Sequence, residues 1–198
     1  MRAAHEGPTG PLTEEHLLAL QQSEARFRKL QGALRYAGFN GSTMLLFGGI
    51  SILTGIGSWP AMIVGAALLA GGALELHHRN ALRRLDPSAL PRLAINQLIV
   101  GAAAAGYCVF QALFPAPNEI AAELEKAGAG GAIDVQGITQ SMQALATLVY
   151  LGMAVVVGFF QLIAAGYYLS KRSHLKRYLA ESPAWVHDLQ RRGLLKAA

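Results

Sequence analysis

The 198-residue chain is 53% hydrophobic and 15% charged, with a formal net charge of +5. Soluble domains carry about 25% charged residues; here the deficit is confined to three charge-free runs, 36–74, 93–118 and 135–170, which argues against an ordinary water-soluble domain. The basic residues flank those runs and do not form one stripe with stacking aromatics, which argues against nucleic acid as a partner.

In chain order, residues 1–35 are polar and expected to be cytoplasmic. They carry Glu6, Glu14, Glu15 and Glu24 and lack a short apolar core with a cleavage site, so no secretory leader is expected. Thr13 can cap a helix whose first turn holds Glu14 and Glu15. Leu20, Phe27, Leu30 and Leu34 recur at helical spacing. This amphipathic helix has three expected fates: lying on a membrane surface, packing on a partner, or running straight into the first apolar run.

A helix needs about 20 apolar residues, rising about 1.5 Å each, to cross a bilayer. The run 36–74 is almost twice that and must turn back. The place is TGIGSWP, residues 54–60. Pro60 suits the start of a new helix and disfavours helix at Trp59, whose ring suits the headgroup level. The expected spans are 36–55 and 60–77, then 93–113, and finally 142–169 or 170. The basic connection 77–92 holds Arg79, Arg83, Arg84 and Arg92. Residues 114–141 form an acidic outer loop with a short helix over 118–126. Residues 171–198 form a basic tail, with an interfacial helix after Ser182-Pro183 that sets Trp185, Val186 and Leu189 on one side.

The stretch 74–87, LELHHRNALRRLDP, reads as the exit of the second span. Glu75 and Arg79 are spaced to pair. Asp86-Pro87-Ser88 stops the helix. Arg79, Arg83, Arg84, Arg172, Lys176 and Arg177 are candidate contacts for anionic headgroups, at about 1 kcal/mol per charge near the surface. Sixteen of the seventeen Lys and Arg residues lie on one side of a four-span arrangement; Lys126 is the exception, among Glu119, Glu123, Glu125 and Asp134. Basic flanks stay inside during insertion, so both termini are expected in the cytoplasm and the acidic loop outside.

Shifting the sequence by 93 residues, without a gap, aligns 63–85 with 156–178 and gives seven identities in 23 positions, Arg79/Arg172 and Leu82/Leu175 among them. The expectation is two helical hairpins in tandem. The fold class expected is therefore an all-α integral membrane protein, a four-transmembrane-helix bundle with amphipathic cytoplasmic helices at both ends.

Chemistry is sparse. Glu75-x-x-His78 has the spacing of di-iron bundles, but no other span holds a carboxylate, so no metal, cofactor or catalytic set is expected. Small residues four apart, Ala67/Gly71, Gly101/Ala105, Ala102/Gly106 and Ala154/Gly158, are candidate helix seams. Asn40, Glu75, Asn96, Gln97 and Gln161 fall on four different spans. Counted by helix rise, most lie about 5 Å and Gln161 about 13 Å from the cytoplasmic surface. They form a candidate intramembrane polar layer, either interhelical bonding or a cytoplasm-facing pocket. The functional expectation is a non-enzymatic membrane protein, an accessory or assembly subunit that associates with other subunits or with itself. The alternative is a small transporter or homo-oligomeric pore with a polar vestibule. Composition suggests a bacterial inner membrane.

Overall fold

A computed structural model describes residues 13–115 and 135–194. These residues form helices and turns, with no strand among them. In chain order the helices are α1 (Glu14–Thr54), α2 (Trp59–Arg83), α3 (Ala89–Leu113), α4 (Val135–Glu181) and α5 (Ala184–Arg191). The first four are long and apolar enough to cross a membrane. The short helix expected over 118–126 lies outside the described residues.

The amphipathic segment and the first expected span are one continuous helix, so of the three fates the structure takes the direct run. Thr13 caps α1, and its hydroxyl accepts from the His16 amide while the His16 ring accepts from the Thr13 amide. Helix α1 ends in TGIGSWP. Gly57 adopts φ +97°, where a side chain is strained, and α2 opens with Pro60 in its first turn. Helix α4 already begins at Val135, inside what reads as loop in the sequence. No rule of apolar length would find that start, since 135–141 is polar enough to pass for a linker.

Helix α2 stops in two stages. The amide of Asp86 bonds the Ala81 carbonyl, with Leu85 between them at φ 63°. This is the closing pattern that glycine usually supplies. A leucine there costs about 1–2 kcal/mol in the left-handed region, and its side chain is buried in return. Asp86 then accepts from the Ser88 amide and hydroxyl, at 2.8 and 2.7 Å, turning the chain into α3.

Helices α1 and α2 pack as one pair, α3 and α4 as another. The pairs meet through α2/α3 and, less extensively, α1/α4. The α1/α2 seam is reciprocal. A Cβ on Gly48 would sit 2.8 Å from the Gly65 carbonyl oxygen, and one on Gly72 would sit 2.8 Å from that of Gly41. Both helices therefore place glycines seven apart, and the backbones touch. Of the residues in the expected spacing-of-four seams, Gly71 abuts Val100 and Gly101 abuts Gln161, whereas Gly106 and Gly158 meet nothing within 4 Å.

The compact core lies at the basic end of the helices. Phe27, Leu30, Leu34, Leu82, Leu90, Leu93, Tyr168, Leu175 and Tyr178 belong to it. Toward the other end the pattern inverts: Leu46, Phe47, Leu53, Ile63, Leu148, Val155 and Phe160 are all exposed. Apolar side chains shielded in one half and displayed in the other fit two different solvents for the two halves. At the basic end the first part of α1 meets the end of α4 and α5. Arg26 pairs with Glu181 at 3.0 Å and also donates to its carbonyl. Phe27 packs on Tyr178, and His16 on Trp185. On α5, Val186 is buried against the protein, while Trp185 and Leu189 are half-buried.

Candidate functional site

Each residue of the candidate polar layer reaches its place through helix geometry. Glu75 is on the inward face of α2, four residues after Gly71, and is fully buried. Asn40 of α1 donates to Glu75 Oε1 at 3.4 Å. Asn96 of α3 donates to Glu75 Oε2 at 2.8 Å and to the Gly71 carbonyl at 2.9 Å. Tyr168 of α4 donates its hydroxyl to Glu75 Oε1. One carboxylate thus gathers a donor from each of the other three long helices. Most buried polar groups are satisfied in this way, because a low dielectric penalises those that are not.

The expected Glu75–Arg79 pair does not form. Glu75 turns to the centre, while Arg79 lies against Gly38 and donates to the Leu34 carbonyl at 3.0 Å. Arg79 therefore clamps α2 onto α1. Arg83, Arg84, Arg172, Lys176 and Arg177 are exposed, and Arg177 approaches Glu181 at 3.7 Å. Among the described residues no cationic side chain pairs with Glu75, and no cluster of His, Cys, Asp and Glu has a metal-holding arrangement.

The other two residues of the layer stand apart. Gln97 is fully buried close to Glu75, yet neither amide atom reaches a partner in hydrogen-bonding geometry. Gln161 lies two turns from Tyr168 along α4. Its stem packs over Gly101, and its buried Oε1 has no donor.

Gln161 and Asn40 meet in another feature, a cavity of about 610 Å³ between α1 and α4. Gly32, Tyr36 and Asn40 line it from α1, and Phe160, Gln161, Ile163, Ala164 and Tyr167 from α4. Phe160 and Ile163 are more than half exposed, so the mouth lies on the outer, apolar flank of the helices. The cavity sits at the thinner of the two seams joining the helix pairs.

The sequence reading missed Tyr168 and Tyr36. Near a helix exit a tyrosine reads as an interfacial anchor. A signal was present nonetheless: in the 93-residue shift, Tyr168 falls on Glu75. The burial pattern follows the same shift. Gly71, Gly72, Glu75, Leu82 and Leu85 are buried, and so are Ala164, Ala165, Tyr168, Leu175 and Tyr178 at the matching positions.

No family model matches this chain, and neither a curated protein nor a solved structure matches it. The class rests on the chain's own features: an all-helical protein with four helices of membrane-crossing length and a buried, four-helix polar centre.

Proposed function

We propose that this chain is a non-enzymatic, multi-pass protein of the bacterial inner membrane that works as a small transporter, taking a membrane-borne molecule into the α1/α4 cavity. The cavity carries this reading: about 610 Å³, largely apolar, with two carboxamides and two tyrosines converging on it, as in small-molecule sites generally. This replaces the cytoplasm-facing polar vestibule expected from the sequence with a largely apolar cavity whose mouth is on the flank of α1 and α4. Four helices cross the bilayer, and both termini are cytoplasmic. The basic flanks support that orientation. The exposed arginines and lysines of the basic end contact anionic headgroups.

The same proposal takes the chain as two tandem hairpins, α1–α2 and α3–α4, related about an axis through the centre. Glu75 and Tyr168 occupy matching positions and touch, flanked by Asn40 and Asn96 from the two first helices. The coincidence of buried positions across the shift supports it.

Saturable binding of the apolar dye 1-aminoanthracene to the protein in nanodiscs, above that to empty nanodiscs, tests the cavity. Ile163→Trp places an indole in the mouth and is expected to abolish it. Binding equal to that of empty nanodiscs, or untouched by the substitution, contradicts the reading.

A second reading, an accessory or assembly subunit, is favoured by the apolar half of α4. Leu148 and Val155 are 70% and 72% exposed, and Gly152 and Gly158 meet no neighbour within 4 Å, although glycines elsewhere form the α1/α2 seam. Stoichiometric co-purification of another membrane protein in mild detergent supports it; a self-contained oligomer does not.

A further inference from the structure

We propose that the α1/α4 cavity is a site for a lipophilic organic cation, a protonated amine carrying a compact aromatic or apolar body, which enters from the lipid. This rests on the cavity-binding reading above and adds the chemistry of the ligand.

The first ground is charge. Glu75 is fully buried, and its partners Asn40, Asn96 and Tyr168 are all neutral donors. Ionisable side chains at such positions mark ligand and ion pathways by default. In a low-dielectric setting a carboxylate without a counter-charge attracts a cation over several ångströms. The donors that face it are arranged for an anion, and among the described residues no group of three His, Cys, Asp or Glu side chains could hold a metal ion.

The second ground is proximity. Asn40 both lines the cavity and donates to Glu75. Tyr36 lines it too and stands edge-on to Tyr168, with ring centres 5.7 Å apart, while Tyr168 donates to Glu75. One layer of side chains therefore separates the cavity from the carboxylate.

The third ground is the lining itself. Gln161 adds a neutral carboxamide to the lining, and its buried Oε1 has no donor. Tyr36, Tyr167 and Phe160 offer π-faces, which attract cations and stack on aromatic bodies. The ring of Tyr167 already carries a cation, the Lys171 ammonium at 5.1 Å. Lys171 does not line the cavity, and among the described residues no Lys, Arg or His does. An anion would be repelled by Glu75, and a neutral molecule gains nothing from it.

The test compares 1-naphthylmethylamine with 1-naphthalenemethanol, matched in shape and differing in charge. Binding is measured by calorimetry on the full chain in zwitterionic phosphatidylcholine nanodiscs at pH 7. The amine is expected to bind about tenfold more tightly or better. Glu75→Gln is expected to remove the preference. Ile163→Trp is expected to abolish both. Equal binding of amine and alcohol overturns the cation assignment and leaves the cavity reading standing. Saturable binding of neither overturns both. A preference that survives Glu75→Gln overturns the role of Glu75. The comparison in the unaltered protein needs no variant, so a folding failure of Glu75→Gln leaves the cation assignment decided.

Discussion

The phenol of Tyr168 donates to the carboxylate of Glu75 across 93 residues of chain, joining helices that otherwise meet little. Removing the hydroxyl with Tyr168→Phe leaves Glu75 with two donors and is expected to destabilise the protein by about 1–3 kcal/mol. Glu75→Leu removes the shared acceptor of Asn40, Asn96 and Tyr168, leaving Asn96 only the Gly71 carbonyl, and is expected to cost more than Glu75→Gln. Thermal unfolding in detergent measures both comparisons. A Tyr168→Phe variant as stable as the parent contradicts the assigned bond.

The α1/α2 seam predicts a contrast between adjacent glycines. A methyl at Gly48 would meet backbone atoms of Gly65 and Leu69 at 2.8 Å, whereas one at Gly49 meets nothing within 4 Å. Gly48→Ala is expected to force the helices apart at a cost of about 1–3 kcal/mol. Gly49→Ala is expected to be neutral or slightly stabilising. Equal unfolding temperatures for the two variants would refute the close approach.

At the end of α2, Leu85 combines a left-handed backbone with a buried side chain. Leu85→Gly relieves about 1–2 kcal/mol of backbone strain but leaves a cavity worth about 2–5 kcal/mol. The expected net effect is destabilisation, smaller than that of Leu85→Ala, which keeps the strain. Chemical denaturation of the two variants checks the order.

Asp86 predicts an acid limb. Its carboxyl is held below the ordinary value, first by the Ser88 hydroxyl, then by the Ser88 amide, with Arg92 contributing. A folded-state pKa below the unfolded one stabilises above the unfolded value, and the gain is lost as pH falls through the folded value. Stability is therefore expected to decline below about pH 4, and Asp86→Asn to flatten that part of the curve. The group is partly exposed, so solvent screening keeps the effect small. An unchanged acid limb in Asp86→Asn contradicts the assignment.

Much of this architecture was legible because lipid makes polar residues conspicuous. Asn40, Glu75 and Asn96 stand out in apolar runs, and the structure bonds them together. Gln161 stands out equally but lies two turns further along α4, too far for the same carboxylate. Tyr168 was hidden, because an amphipathic ring is ordinary near a helix exit. Of the small residues expected four apart, Gly71 and Gly101 abut neighbouring helices, while the α1/α2 seam, where Gly41, Gly48, Gly65 and Gly72 meet at a spacing of seven, was not among those expected. Spacing within one helix does not say which glycine faces which backbone. Glu75 and Arg79 were well spaced to pair, but spacing along one helix could not weigh Asn96 and Tyr168 from helices that arrive later in the chain. The start of α4 at Val135 was hidden for the opposite reason, since polar residues continue a helix without leaving an apolar signature.

The membrane placement is tested most directly by single cysteines in a Cys108→Ala background. Ile56→Cys lies in the α1/α2 turn and Arg84→Cys after α2, both at exposed positions. A membrane-impermeant maleimide is applied to spheroplasts of the expressing cells, before and after permeabilisation. The Ile56→Cys variant is expected to label in intact spheroplasts, and the Arg84→Cys variant only once the membrane is breached. Labelling of both from the same side would contradict that placement.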